Sequence, residues 1–228
     1  MTISTESPPR AEERAETVRR IQALGALAVV RLPSPDAVLP VAEALHAGGV
    51  SAIEVTMTVP GALEAVARLA REGDGEMLIG VGSVLDADTA RRAVEAGARF
   101  VVSPVFKPEV VAEAQRQGAA ALPGAFTPTE ILRAHEAGAD LVKVFPSDAL
   151  GPVFLKGVLA PMPFLRLIPT GGVTPENVGT WIAAGAVAVG LGGALVAPQL
   201  VAAEDFAAIT ERARQVVAGI DAARRGER

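Results

Sequence analysis

From Leu27 onward the sequence repeats one unit: a short apolar run, a turn carrying Gly, Pro, Ser or Thr, and an Ala/Leu/Glu/Arg-rich stretch that ends in Ala-Gly. Eight apolar runs stand out, at 27–31, 52–56, 78–81, 100–103, 120–122, 141–145, 166–169 and 188–191, with successive starts 20 to 26 residues apart. That interval holds one strand, one helix of roughly three or four turns and two short loops. Strands that are apolar almost throughout and alternate with helices belong to a parallel sheet covered on both faces. Eight such units favour closure into an α/β fold of the (β/α)8 TIM-barrel class. The alternative is an open doubly wound sheet; against it, no Gly-x-Gly-x-x-Gly opens a helix after the first strand.

Within residues 11–24, Val18, Ile21 and Leu24 recur at helical spacing, which predicts an extra N-terminal helix covering the barrel floor after a flexible start at residues 1–10. Residues 1–228 then read as a single barrel domain, with a fraying, solvated end from Ala222 to Arg228. Ser34-Pro35-Asp36 and Thr127-Pro128-Thr129-Glu130 offer N-caps, a proline in the first turn and early acids, while Gly48, Gly97, Gly138 and Gly185 stand at helix ends.

Composition removes several classes of function. The net charge of -5 is spread over both signs with no basic stripe, which argues against nucleic acid as a partner. Without a single cysteine there is no disulfide, thiol nucleophile or cysteine-ligated metal. The first sixteen residues lack the apolar segment of a signal peptide, and no later apolar run reaches membrane-spanning length uninterrupted, so a cytoplasmic protein with no membrane partner is expected.

In a barrel the side chains alternate between interior and helix layer, and chemistry gathers at the C-terminal ends of the strands. Two charges stand in such positions. Lys143, in Leu141-Val142-Lys143-Val144-Phe145, is flanked by valines on the sixth strand. Burying an ammonium there costs several kcal/mol unless its charge is paired or lost. Desolvation favours the neutral amine of a lysine, which attacks a ketone to form an imine as arginine does not. The bland reading is a lysine paired with a carboxylate. Glu54, between Ile53 and Val55 on the second strand, should face inward, either to move protons or as the ion partner of Lys143 or Arg31. Arg31 ends the first strand, either gripping a substrate carboxylate or phosphate in bidentate fashion or lying in solvent.

Glycine pairs follow the last two strands: Gly171-Gly172 after the seventh, and Gly192-Gly193 after the eighth. In these barrels the loops after strands seven and eight make the standard phosphate site, where backbone N–H groups approach an anion. The bland reading is two tight turns. His46 and His135 lie late in predicted helices, where imidazole is commonly structural, and no metal cluster is legible. Ser83, Ser103 and Ser147 follow strands with neither histidine near, so a serine triad is not expected. Trp181 reads as core.

At these residues the chain resembles the family of 2-keto-3-deoxy-6-phosphogluconate (KDPG) and 4-hydroxy-2-oxoglutarate (KHG) aldolases, from about Gly25 onward. Ile53-Glu54-Val55-Thr56 is similar to its catalytic glutamate segment, and Gly80-Val81-Gly82-Ser83-Val84-Leu85 to its Gly-x-Gly-Thr-Val-Leu segment. Phe100-Val101-Val102-Ser103-Pro104, Leu122-Pro123-Gly124 and Val142-Lys143-Val144-Phe145-Pro146 follow in family order. The resemblance implies that Lys143 forms the Schiff base and Glu54 transfers protons, without metal or organic cofactor. It also implies that Pro104 and Phe145 line the pocket, that Thr170, Gly171 and Gly172 contact ligand, and that the protein is a homotrimer acting on a small 2-keto acid. Three departures bear on the substrate. Thr58 stands where many members carry an arginine for the substrate carboxylate, leaving Arg31 as the cation; Ser83 replaces the usual threonine; Ala194 stands where many relatives have a serine for phosphate. The implied reaction is cleavage of KDPG to pyruvate and glyceraldehyde 3-phosphate, with 4-hydroxy-2-oxoglutarate or the galactonate epimer as close rivals. Sugar-phosphate epimerisation and a non-catalytic phosphate-binding barrel are the alternatives from other classes.

Overall fold

A computed structural model of the chain describes residues 8–73 and 75–227. Helix α1 (Pro8–Leu24) comes first, so the helix begins at Pro8 rather than Ala11, and the rest of the expected flexible start, residues 1–7, lies outside the described residues. The strands are β1 (Ala26–Val30), β2 (Ala52–Thr56), β3 (Leu78–Gly82), β4 (Phe100–Val102), β5 (Ala120–Leu122), β6 (Gly124–Ala125), β7 (Val142–Val144), β8 (Leu167–Pro169) and β9 (Val189–Leu191). Helices α2 (Val38–Ala47), α3 (Ala62–Glu72), α4 (Ala87–Glu95), α5 (Pro108–Arg116), α6 (Pro128–Glu136), α7 (Gly151–Leu159) and α8 (Val178–Ala183) lie between them; α9 (Pro198–Ala202) and α10 (Phe206–Arg224) follow. The expected fraying is corrected over 222–224, where helix continues to Arg224 and its Nη1 and Nη2 bind the carbonyls of Ala23 and Gln22 at 2.7 and 2.6 Å; residues 225–227 beyond it are exposed, as read.

All strand pairs are parallel, in a six-stranded sheet of order β5-β4-β3-β2-β1-β9 and a three-stranded sheet of order β6-β7-β8. The fifth expected strand is β5, as read, and β6 is a further short strand not expected from the sequence. Pro123, which has no N–H for a ladder, separates β5, paired with β4, from β6, paired with β7. Backbone bonds link the sheets at both ends. Lys143 N–H donates to the Pro123 carbonyl at 2.9 Å and Asp140 N–H to that of Ala121 at 3.1 Å, while Thr170 bridges Gly190 and Val187 N–H donates to Leu167 at 3.1 Å.

The alternation along the strands sorts the apolar residues into two layers. Ala28, Val30, Ile53, Val55, Val142 and Val144 bury against the helices. Leu27, Ala52, Leu78, Phe100, Leu141 and Ile168 face inward and pack with Val18 and Ile21 of α1, so the predicted stripe does cover the floor. Burying each large apolar side chain is worth about 1.5–3 kcal/mol. The Asp140 carboxylate accepts the Ala121 N–H at 2.9 Å and lies 3.6 Å from Arg14 Nε, fixing α1 to this end of the sheet.

Helix starts agree with expectation unevenly. Thr127 and Glu130 form the full capping box of α6. At α2 the Ser34 hydroxyl binds Asp36 at 2.7 Å, and the helix begins after Ala37 with no side-chain cap. Among the described residues no helix is long and apolar enough to cross a membrane.

Candidate active site

One inward step beyond the apolar floor, the same strands change character. Glu54 follows Ala52 on β2, Gly80 and Gly82 follow Leu78 on β3, and Lys143 follows Leu141 on β7. Lys143 is 8% and Glu54 2% exposed, and Lys143 Nζ lies 3.6 Å from Glu54 Oε1. Gly82 supplies the room, because a Cβ there would fall inside the Glu54 carboxylate. The ring of Phe145 stands 5.4 Å from Nζ. Two opposite charges so enclosed repay their desolvation only with good geometry, a costly arrangement for structure alone.

Lys143 opens into a cavity of about 430 Å³ at the C-terminal ends of the strands. Pro104, Phe145, Ser83 and Thr170 line it as expected, and so does Arg31, which stands one residue past the end of β1 and is exposed. Glu54 is not on the cavity wall but is buried beside Lys143. Thr58 is not brought to the cavity: it is exposed, and its hydroxyl lies 2.7 Å from that of Thr56. Val29, Val196 and Pro198 also line the cavity. They carried no signal in the sequence, since apolar residues at strand ends and loops read as packing.

Both glycine loops reach the cavity. Gly171 and Gly172 have φ of 100° and 71°, left-handed values that glycine adopts without strain. The Gly172 carbonyl accepts from Asn177 Nδ2 at 2.8 Å, while Asn177 Oδ1 takes the Thr174 N–H at 2.8 Å. After β9, the Gly192 carbonyl accepts the N–H groups of Leu195 and Val196, both at 2.9 Å. That makes a single helical turn, in which the N–H groups of Gly193 and Ala194 have no partner within the turn. Asn177 was not singled out from the sequence, although its spacing from Thr174 is that of a side-chain-capped turn.

Ser147 is structural. Its buried hydroxyl donates to the Val144 carbonyl at 2.7 Å and accepts the Thr170 N–H at 3.0 Å, joining the ends of the lysine strand and β8. His46 Nδ1 lies 2.8 Å from the Ser51 hydroxyl and the His135 ring sits tilted against Phe164 at 5.1 Å, so neither histidine serves the cavity. Among the described residues no group of three or more His, Asp or Glu stands where it could hold a metal.

A family model described as KDPG and KHG aldolase matches residues 18–212. The chain belongs to that family. It is 38% identical over 190 residues to a 2-dehydro-3-deoxy-phosphogluconate aldolase of Treponema pallidum, covering 83% of this chain and 90% of the relative. It is 34% identical over 167 residues to a 2-dehydro-3-deoxy-6-phosphogalactonate aldolase of Escherichia coli, covering 73% of this chain and 82% of the relative. Among solved structures, KDPG aldolase of Legionella pneumophila with pyruvate captured as a covalent carbinolamine superposes with a TM-score of 0.81 at 29% identity, over 88% of this chain and 97% of that one. The matched residues include both Glu54 and Lys143, the enclosed pair at the cavity.

Proposed function

We propose that this aldolase cleaves 2-dehydro-3-deoxy-6-phosphogluconate to pyruvate and glyceraldehyde 3-phosphate through an imine on Lys143. The observation that carries the reading is the enclosed pair itself, Nζ 3.6 Å from Glu54 Oε1, with Nζ open to the cavity. The carbinolamine of the Legionella relative supports the same chemistry here.

The neutral Lys143 amine adds to the C2 ketone, and loss of water gives a protonated imine. Glu54, acting through water, takes the proton of the C4 hydroxyl; the C3–C4 bond breaks and its electron pair passes to the imine nitrogen, leaving an enamine. Glyceraldehyde 3-phosphate departs. Protonation of the enamine at C3 and hydrolysis of the imine release pyruvate and regenerate Lys143. Phe145 and Pro104 keep water from the reacting carbons. The phosphate is held by N–H groups of the glycine loops at 171–172 and 192–193, with Arg31 as its cation: β1 pairs directly with β9, so Arg31 stands beside the turn that follows β9. Arg31 so placed offsets the hydroxyl that Ala194 lacks. Thr170 and Ser83 contact the acid end.

The bonds at both junctions of the two sheets support a closed (β/α)8 barrel, and we read 1–228 as its one domain. Family likeness supports a homotrimer. A second reading, cleavage of the galactonate epimer, is favoured by the Escherichia coli relative; specificity constants for the two epimers and for 4-hydroxy-2-oxoglutarate decide between them. Borohydride reduction in the presence of pyruvate, followed by peptide mapping, tests the central claim. A reduced adduct on Lys143 is expected; bound pyruvate with no adduct overturns the imine mechanism.

A further inference from the structure

We infer that Arg212, outside the cavity, is a positioning residue for the phosphate: it holds the turn after β9 in its anion-binding shape. This rests on the reading that the turn receives the phosphate.

Leu195 and Val196 anchor the far end of the turn by burial, and its glycine half is the part left without packing. A Cβ at Gly193 would meet nothing within 4 Å, and at Gly192 only the Val29 carbonyl at 4.0 Å, so side-chain packing does not fix these residues. Two adjacent glycines are also the residues that lose most freedom on ordering. Arg212 Nη1 supplies an external hold, donating to the Ala194 carbonyl at 3.0 Å. A peptide unit is planar, so anchoring that carbonyl fixes the orientation of the Leu195 N–H, the group that closes the turn onto Gly192 at 2.9 Å. The N–H groups of Gly193 and Ala194 are then left pointing as the turn dictates.

Arg212 is itself on a rigid element. In α10, Ile209, Ala213 and Val216 are fully buried, and the Thr210 hydroxyl binds the Ala44 carbonyl at 2.9 Å. An outer cleft holds Arg212 with Glu176, Glu211 and Gln215, and it shares Thr174 and Ala194 with the catalytic cavity. The guanidinium therefore lies one residue's thickness behind the anion loop. On the outer side of this cleft the Thr174 hydroxyl holds the Glu176 carboxyl below its usual range. What Arg212 gives the turn is the directed hydrogen bond to the Ala194 carbonyl. Asn177 does the same for the other glycine loop by binding the Gly172 carbonyl at 2.8 Å. Each loop thus has a carbonyl drawn to a side chain further along the chain, Asn177 just before α8 and Arg212 on α10.

The test compares wild type, Arg212→Met and Arg212→Lys on the phosphorylated acid, on its unphosphorylated counterpart and with inorganic phosphate as inhibitor. Arg212→Met should raise KM for the phosphorylated acid and the inhibition constant for phosphate together, by about tenfold, the equivalent of one charge-assisted hydrogen bond. The unphosphorylated substrate should change by less than about twofold, and Arg212→Lys, which still carries a donor, should recover most of the loss. An equal loss on both substrates, or none on either in a variant that melts like wild type, overturns the positioning role while leaving the phosphate site intact. If wild type itself neither prefers the phosphorylated acid nor is inhibited by phosphate, the phosphate reading of the loops fails and this inference fails with it.

Discussion

The two ends of the inward sheet face differ completely over a single alternation of the strand. At the N-terminal end Leu27, Ala52, Leu78, Phe100 and Leu141 close against Val18 and Ile21 of α1 with no polar side chain among them. Two residues further along β2 and β7 stand Glu54 and Lys143, 3.6 Å apart. The floor is what makes the charged end workable: a packed apolar layer keeps water from beneath the pair, so their mutual attraction is little screened. The largest break in the comparison should therefore come from the charged end without disturbing the floor. Lys143→Arg keeps the charge but not the nucleophile, and turnover should fall by about three orders of magnitude or more while the thermal midpoint stays close to wild type. Near-normal turnover in that variant would remove the imine from the mechanism.

Glu54→Gln separates the two partners. Loss of a positioned general base typically costs about 10²–10⁴-fold, so kcat should drop in that range while borohydride still traps pyruvate on Lys143. If cleavage survives with trapping unchanged, Glu54 is only the ion partner of the lysine. The floor is probed by Ile21→Ala, where a cavity in a fully buried site should cost about 2–5 kcal/mol in denaturant titration, with kcat of the folded enzyme unchanged. A kcat that falls in step with stability would mean the two ends are not separable as described.

How much of this was legible in sequence follows from the same contrast. Strand and helix order could be read because apolar runs and Ala-Gly endings recur at a fixed interval, and Lys143 and Glu54 because charge interrupts an apolar run. The short β6 after Pro123 was missed, because its existence depends on pairing with β7, a long-range fact. Gly82 was recognised through a family motif; its physical reason, room for the Glu54 carboxylate, exists only once β2 and β3 are side by side. Thr58, two residues past the end of β2, lies exposed outside the cavity with its hydroxyl 2.7 Å from that of Thr56, a placement the family pattern did not reveal. Arg212 left no trace, since it sits in α10, 18 residues from the carbonyl it binds.

The smallest expected effect lies at the rim, where α6 and α2 begin differently. In α6 the Glu130 carboxylate accepts the N–H groups of Phe126 and Thr127, both at 2.8 Å, and the Thr127 hydroxyl accepts that of Glu130 at 3.3 Å. The Phe126 N–H first, and the Thr127 N–H next, hold the Glu130 carboxyl below its ordinary 4.5. A carboxyl depressed in the folded state contributes stability that is fully present above its unfolded pKa and is lost as pH falls through the folded value. Thr127→Ala should therefore cost about 1 kcal/mol near neutral pH. Glu130→Gln should cost a comparable or smaller amount at neutral pH, and its deficit should shrink once the medium is acid enough to protonate Glu130 in wild type. Helix α2, which starts after Ala37 with no side-chain cap, has no such bond to lose. Asp36→Asn just before it should leave the neutral-pH stability of the helix start unchanged within a few tenths of a kcal/mol, the usual range for a surface substitution. A Glu130→Gln deficit that stayed constant through the acid range would mean that the ionised carboxylate is not what caps α6.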